Sequence, residues 1–400
     1  MGWVLSCLSF NPTPIPDKYD ESVYLRYCQG IVRHGVQSCP AMTREYLNDM
    51  YGDTIILFSP LRFSYIAAGA MVTSVTGLEE YRALVAVSLV SGMLALAWYA
   101  FLAHRILPGR EALAVVLLMA CAPLRQLLGS KAMIDGFFAL WASLVIGSAW
   151  FSLQNPTSRR WLGAYALSLL ILILTKENSA FIFFFLMVVL VLGPRLGLPT
   201  PSPSFWRVTL FIPFVSVAIL LLLAGGLTQL VEVYSVLVVK APQNPFAILT
   251  GDGPWYRYLL DLFVVNPFIV LLCFAGLLQM RRDQGAMVYF ALFLGATFAI
   301  MCQLRYGMSL RYASIWEFPM RIFVVAALAA WTSRFRFKPH WCFMACVLAL
   351  GAYDLRQYRT LFVETSMNEP TPVEMMRTIH VLKSTDDVKR ELEKIHSKQK

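Results

Sequence analysis

Charge is what this chain has least of. Asp, Glu, Lys and Arg make up 14% of its 400 residues, where soluble proteins carry about a quarter. Hydrophobic residues make up 58% and the mean hydropathy is +0.60, which excludes a soluble globular domain and leaves an integral membrane protein. Period-two alternation is missing as well. The apolar runs are unbroken, so helices rather than a β-barrel are the spanning element. The eight cysteines include no Cys-x-x-Cys and no metal-ligand spacing, and Cys121, Cys273, Cys302, Cys342 and Cys346 fall in or beside apolar runs, where a thiol acts as a small buried hydrophobe. Cys28 and Cys39 share one polar loop, where a disulfide is open to them if the loop faces an oxidising compartment. The net charge of +10 does not signal a nucleic-acid partner, because the basic residues are dispersed in short loops between apolar runs. Internal repeats and low-complexity segments are absent.

What the chain does have is a long series of apolar runs. Crossings are predicted at Leu84–Ala103, Ala112–Leu127, Phe137–Leu153, Leu162–Leu174, Ala180–Leu192, Val208–Gly225, Leu259–Met280, Ala286–Met301, Ile315–Trp331 and Trp341–Tyr353. This is an all-α, polytopic transmembrane bundle of about 10 to 11 helices. Pro60–Gly77 is apolar but barely long enough to span, and reads as a helix dipping into the interface. Met1–Phe10 covers half of the roughly 20 residues a spanning helix needs. It lacks the basic n-region and small-residue cleavage site of a signal peptide, so it reads as a truncated first helix. The expected organisation is residues 1–57 as that helix and an outer loop, 58–353 as the bundle, and 354–400 as a soluble tail. Within the tail, Pro372–His396 is expected to form an amphipathic helix or two.

Loop charges set the orientation. One alternate set holds Arg105, Arg110, Arg159, Arg160, Arg195, Arg207, Arg281, Arg282, Arg334, Arg336 and Lys338, and is cytoplasmic by the positive-inside rule. The other holds Asp20, Glu21, Arg125, Lys131, Asp135, Lys176, Glu177, Lys240, Arg305 and Arg311, with acids mixed among bases and several set against helix ends. Every charge that looks chemically purposeful thus falls on the outer face. The first outer loop runs from Asn11 to Thr54, and Ser22–Val32 within it reads as a short amphipathic helix lying on the bilayer surface. Leu227–Tyr258 is the largest outer connection after it.

Three constellations carry candidate chemistry. Asp20 and Glu21 are adjacent carboxylates beside Tyr24, Arg26 and Tyr27. Such a pair is most often two solvated loop acids, but at a membrane surface one of them is placed to take a proton from an acceptor hydroxyl while a lipid-borne leaving group stays anchored. Lys131 and Asp135, at i and i+4, share a helix face and would pair. A plain structural ion pair explains them equally well, yet charges at membrane depth are costly and mark sites. Lys176, in Leu174-Thr175-Lys176-Glu177-Asn178, and Arg311, in Leu310-Arg311-Tyr312, could each clamp a phosphate oxygen. Taken alone, such residues more often snorkel to the interface.

Together these residues resemble the membrane glycosyltransferases of the GT-C superfamily, in the branch of dolichyl-phosphate-mannose protein mannosyltransferases and bacterial lipid A aminoarabinose transferases. Asp20-Glu21-Ser22-Val23-Tyr24 is similar to the Asp-Glu-x-x-Tyr of the first outer loop, and Ser59-Pro60-Leu61 to the Pro-Leu element after it. Lys131 to Asp135 resembles the stretch ending in Asp, Leu174-Thr175-Lys176 the Leu-Thr-Lys element, and Arg311-Tyr312 the late Arg-Tyr. No single motif is specific; their order and spacing are. The resemblance implies inverting transfer of a single sugar from a polyprenyl-phosphate carrier to a lipid, glycan or protein acceptor on the non-cytoplasmic face. It implies Asp20 and Glu21 as the catalytic acids, with Asp20 the general base that deprotonates the acceptor, and Glu21 and Tyr24 shaping the pocket. Lys131, Lys176 and Arg311, with Tyr312 beside them, would take the phosphate side, and Asp135 would orient Lys131.

Where the aminoarabinose transferases have an acidic and a basic residue before the Pro element, this chain has Phe58 and Ser59. That removes a metal ligand and a phosphate contact, so no cofactor or metal is expected and Arg62 stands in as the cation. The large lumenal insertion of the eukaryotic mannosyltransferases is missing, which points to a bacterial inner-membrane enzyme with its site facing the periplasm or exterior. A transporter or flippase for a lipid-linked sugar would need inverted repeats and broken Gly/Pro helices meeting near mid-membrane, which the sequence lacks. A non-catalytic scaffold subunit is the other alternative.

Overall fold

A computed structural model of the chain describes residues 19–52, 58–244, 247–248, 251–281, 283–335, 339–363 and scattered positions after 382. Met1–Phe10 and most of Pro372–His396 lie outside the described residues. Every regular element among the described residues is helical.

Two helices precede the bundle, α1 (Tyr19–His34) and α2 (Cys39–Gly52). α1 begins with Asp20 and Glu21 in its first turn and ends with Arg33 and His34, each sign at the end its dipole favours. Gly35, at φ 72°, then turns the chain where a side chain would be strained. This is the amphipathic helix expected at Ser22–Val32, longer at both ends. Cys28 and Cys39 are free and buried. Burial pushes their thiols up to about 12 and about 11, which keeps them protonated.

The chain continues through α3 (Phe63–Thr76), α4 (Glu80–Ile106), α5 (Gly109–Cys121), α6 (Pro123–Gly129), α7 (Ile134–Gln154), α8 (Arg159–Ile173) and α9 (Ser179–Leu192). It then forms α10 (Pro203–Ala224), α11 (Leu227–Lys240), α12 (Arg257–Val265), α13 (Pro267–Gln279) and α14 (Gly285–Met301). A 3-10 turn at Leu310–Trp316 leads into α15 (Glu317–Thr332), and α16 (Pro339–Tyr358) follows.

Among the described residues, five segments are long and apolar enough to cross a membrane: Glu80–Ile106, Ile134–Gln154, Ser179–Leu196, Pro203–Ala224 and Leu310–Thr332. Two bent pairs qualify when joined, α5 with α6 at 56° and α12 with α13 at 119°. The molecule is thus an integral membrane protein with up to seven such spans, and the expected 10 to 11 is not reached by length and composition. The shortfall has a physical source. α8 and α14 hold only 15 and 17 residues, and α16 carries Asp354 and Arg356 in its second half. α3, with 14 residues, is a short apolar helix.

Local chemistry writes the bends. At the α12–α13 corner the Asn266 side chain accepts from the backbone N–H groups of Phe268 and Ile269, at 3.0 and 3.1 Å, and Pro267 opens the new helix. Leu227–Tyr258 is more than the connection expected there. Gly225 and Gly226, at φ 87° and 144°, reverse the chain so that α11 packs on α2, and Tyr51 Oη donates to Glu232 at 2.8 Å across that contact. A Cβ on Gly225 would stand 2.8 Å from Cβ of Pro40.

Buried hydrophobic residues form two clusters. The larger fills the bundle around Phe185, Tyr289, Phe290 and Phe323. The smaller lies beneath α1, α2, α3 and α11 and includes Tyr24, Leu61, Ala132 and Leu174, so it underlies the turns that carry the charged residues. Deep in the bundle is a polar brace that the sequence reading did not identify. Arg321 donates to Asp354 at 2.9 Å and to the Leu118 carbonyl at 3.0 Å, and Asn266 donates to the other oxygen of Asp354 at 2.6 Å. The brace ties α5, α15 and α16 to the α12–α13 corner.

Candidate active site

Four connections meet at α1: residues 58–62 before α3, 130–133 before α7, 174–178 between α8 and α9, and 309–316 before α15. Hydrogen bonds fix them to their neighbours. Ser64 donates its backbone N–H to the Leu174 carbonyl at 3.0 Å and its hydroxyl to the Ile171 carbonyl at 3.3 Å. Ser88 Oγ donates to the Met133 carbonyl at 3.2 Å. Tyr27 Oη donates to the Phe58 carbonyl at 2.9 Å, and burial pushes this phenol up to about 12, so it stays a donor.

On that frame a chain of ion pairs forms. Arg311 Nη1 stands 2.6 Å from Asp20 Oδ2 and 3.7 Å from Asp135 Oδ2. The other oxygen of Asp135 receives Lys176 Nζ at 2.5 Å, and the same ammonium lies 4.0 Å from the centre of the Tyr312 ring, within cation–π range. Exposure rises along the chain. Lys176 and Asp135 are 2% and 5% exposed, Arg311 and Asp20 12% and 19%, so Asp20 is the more open end of this run.

A second pair flanks the first. Arg62 grips Glu177 with two nitrogens, donates to Tyr24 Oη at 2.7 Å, and lies 4.1 Å from the centre of the Phe58 ring. Phe58 in turn stacks on Tyr24. Burial raises the Tyr24 phenol above its ordinary value and keeps it neutral. At Glu177 burial pushes the carboxyl up, but the Arg62 guanidinium more than reverses this and holds it below the usual carboxylate range.

Of the residues singled out in the sequence, Asp20, Tyr24, Arg62, Asp135, Lys176, Arg311 and Tyr312 are brought together. Glu21 turns inward. It is buried, its Oε1 accepts from the Ala132 backbone N–H at 3.1 Å, and it bonds to Tyr81, so it holds the 130–133 turn. Lys131 stands ahead of Ile134, where α7 starts. The helical i, i+4 relation to Asp135 is therefore not formed, and Asp135 faces Lys176 and Arg311 instead. Glu177 was missed as the partner of Arg62; the signal for it was the rule that a buried guanidinium carries an acid with it. Two cavities lie elsewhere between the helices, one lined by Tyr99, Ser143 and Phe318, the other by Asn266, Glu317, Arg321 and Asp354.

Asp135 and Glu177 already bond cationic side chains, and among the described residues no three His, Cys, Asp or Glu side chains converge to hold an ion.

No family model and no curated protein matches the sequence. Solved structures do match the fold. The oligosaccharyltransferase of Archaeoglobus fulgidus in its apo form shares 12% identity over 92% of this chain with a TM-score of 0.53. AglB from the same organism, in complex with an inhibitory peptide and a dolichol-phosphate, shares 13% over 92% with a TM-score of 0.51. This chain spans 56% and 55% of their respective lengths. ArnT from Cupriavidus metallidurans, bound to undecaprenyl phosphate, shares 15% identity over 89% of this chain and 75% of its own length, with a TM-score of 0.48.

Proposed function

The chain has the fold of the GT-C membrane glycosyltransferases, and from that premise we propose that it moves a single sugar from a polyprenyl-phosphate carrier to an acceptor, with inversion at the sugar carbon. The observation that supports this most is the run Asp20, Arg311, Asp135, Lys176, which sets an acid at its more open end and cations behind it. The reaction needs that order. The acceptor hydroxyl gives its proton to Asp20 while its oxygen bonds to the sugar carbon from the face opposite the phosphate. The bond from carbon to phosphate oxygen breaks, and the phosphate leaves with the electron pair. Its added negative charge falls to Arg311 and Lys176.

The AglB structure holds a dolichol-phosphate, and a lipid phosphate is the group assigned here to the cationic end. Three acids, Asp20, Asp135 and Glu177, stand against three bases, Arg62, Lys176 and Arg311. That balance suits a singly charged monophosphate donor better than a diphosphate. The acceptor is a lipid, glycan or protein reached from the non-cytoplasmic side, which in a bacterial inner membrane is the periplasm. Purified protein in lipid, given a panel of polyprenyl-phosphate sugars, should release the carrier phosphate. Asp20→Asn should lower that turnover about 10²–10⁴-fold, the range of a lost general base, while the protein stays monodisperse. Turnover at the wild-type rate by this variant would remove Asp20 from the mechanism.

A further inference from the structure

We propose that Arg311 is an exchangeable clamp on Asp20: it covers the base in the resting protein and releases it when a lipid monophosphate takes the guanidinium. This rests on the glycosyltransferase reading above, and concerns what switches the base on.

One nitrogen, Arg311 Nη1, reaches two carboxylates, Asp20 at 2.6 Å and Asp135 at 3.7 Å. The two partners are not equivalent. Asp135 is 5% exposed and also bonded to Lys176; moving Arg311 off it would not free the carboxylate. Asp20 is 19% exposed and sits in the first turn of α1, outside the spanning segments. Of the two contacts, the one with Asp20 is the one an incoming phosphate can reach. A phosphate presents several oxygens to the guanidinium fork and competes for it well. Asp135 would keep hold of Arg311 during the exchange, so the side chain pivots rather than leaves.

The consequence is an order of events. While Arg311 occupies Asp20 Oδ2, that oxygen cannot take the acceptor's proton. Donor binding comes first, and Oδ2 is uncovered only when there is a sugar to attack. No acid beyond those already in the site is needed.

The test is binding of undecaprenyl phosphate to protein in nanodiscs. Asp20→Asn removes a resident competitor for Arg311 and should tighten the Kd about fivefold, the equivalent of about 1 kcal/mol. In an Arg311→Gln background the same substitution should change the Kd less than about twofold, as a double-mutant cycle requires of a pairwise effect. Asp49→Asn, which removes an equal charge from α2, should likewise leave it unchanged. The clamp is overturned by unchanged or weaker binding in Asp20→Asn, by equal tightening in Asp49→Asn, or by tightening that persists without Arg311. If Asp20→Asn does not fold, Asp20→Ser is read against the same outcomes. The assignment of Asp20 as base stands or falls separately, on turnover.

Discussion

Arg62 and Glu177 show how a single acid tunes the site without touching the reaction. Arg62 lowers the Glu177 carboxyl against the opposing effect of burial, so the folded form holds its proton less tightly than the unfolded chain. Such a group adds stability above its unfolded pKa of about 4.3, and loses it as the pH falls through the lower folded value. Thermal unfolding of wild type and Glu177→Gln should therefore differ by a constant amount from neutral pH down to about 5, and converge under more acid conditions. A gap that is undiminished well below the ordinary carboxylate range would contradict the pairing. Asp20, Lys176 and Arg311 were legible in the sequence, because charges at the ends of apolar runs are costly enough to stand out. The Arg62 partner was not, since it depends on loops 115 residues apart being joined through Ser64 and Leu174. The register of Lys131 against Asp135 was not legible for a related reason: where α7 begins decides which side chains share its face.

Among the elements, the amphipathic α1 and the unbroken runs of α4, α7 and α10 were readable from composition alone. The sharp corner between α12 and α13 was not, although Asn266-Pro267 is a helix-start signature in hindsight. The largely apolar stretch from Leu259 to Met280 outweighed it. The brace of Arg321, Asp354 and Asn266 holds that corner to α15, the helix that follows Arg311. Replacing Arg321 with Leu leaves Asp354 buried without its counter-charge, which should cost about 3–5 kcal/mol. Removing Arg26, whose pairs with Glu45 and Asp49 are exposed, should cost at most about 1 kcal/mol. Denaturation midpoints in detergent measure both, and equal losses would show that the brace carries no special weight. The contact of α13 with α15 is equally demanding, because a Cβ on Gly276 would run into the Phe323 carbonyl. Gly276→Val should destabilise by about 1–3 kcal/mol through overpacking, read in the same assay.

For the whole molecule, arginine placement predicts an orientation that labelling can test. With native thiols removed, a cysteine at Arg159 should label with a membrane-impermeant maleimide only after the cells are opened. A cysteine at Asp49 should label in intact cells. The reverse pattern would turn the site towards the cytoplasm and remove the basis for a carrier-linked donor. The number of crossings was the least legible property at this scale, because α8 and α14, at 15 and 17 residues, fall short of the roughly 20 that lipid asks of an isolated helix.

The resting balance of charge around Asp20 and Arg311 also determines what cannot inhibit the protein. A neutral cluster exerts little pull on anions dissolved in water, so millimolar orthophosphate or a nucleotide sugar should leave turnover unaffected. A tethered headgroup confined to the plane of the bilayer reaches the same arginine at a far higher local concentration, and so wins the contact by geometry of delivery.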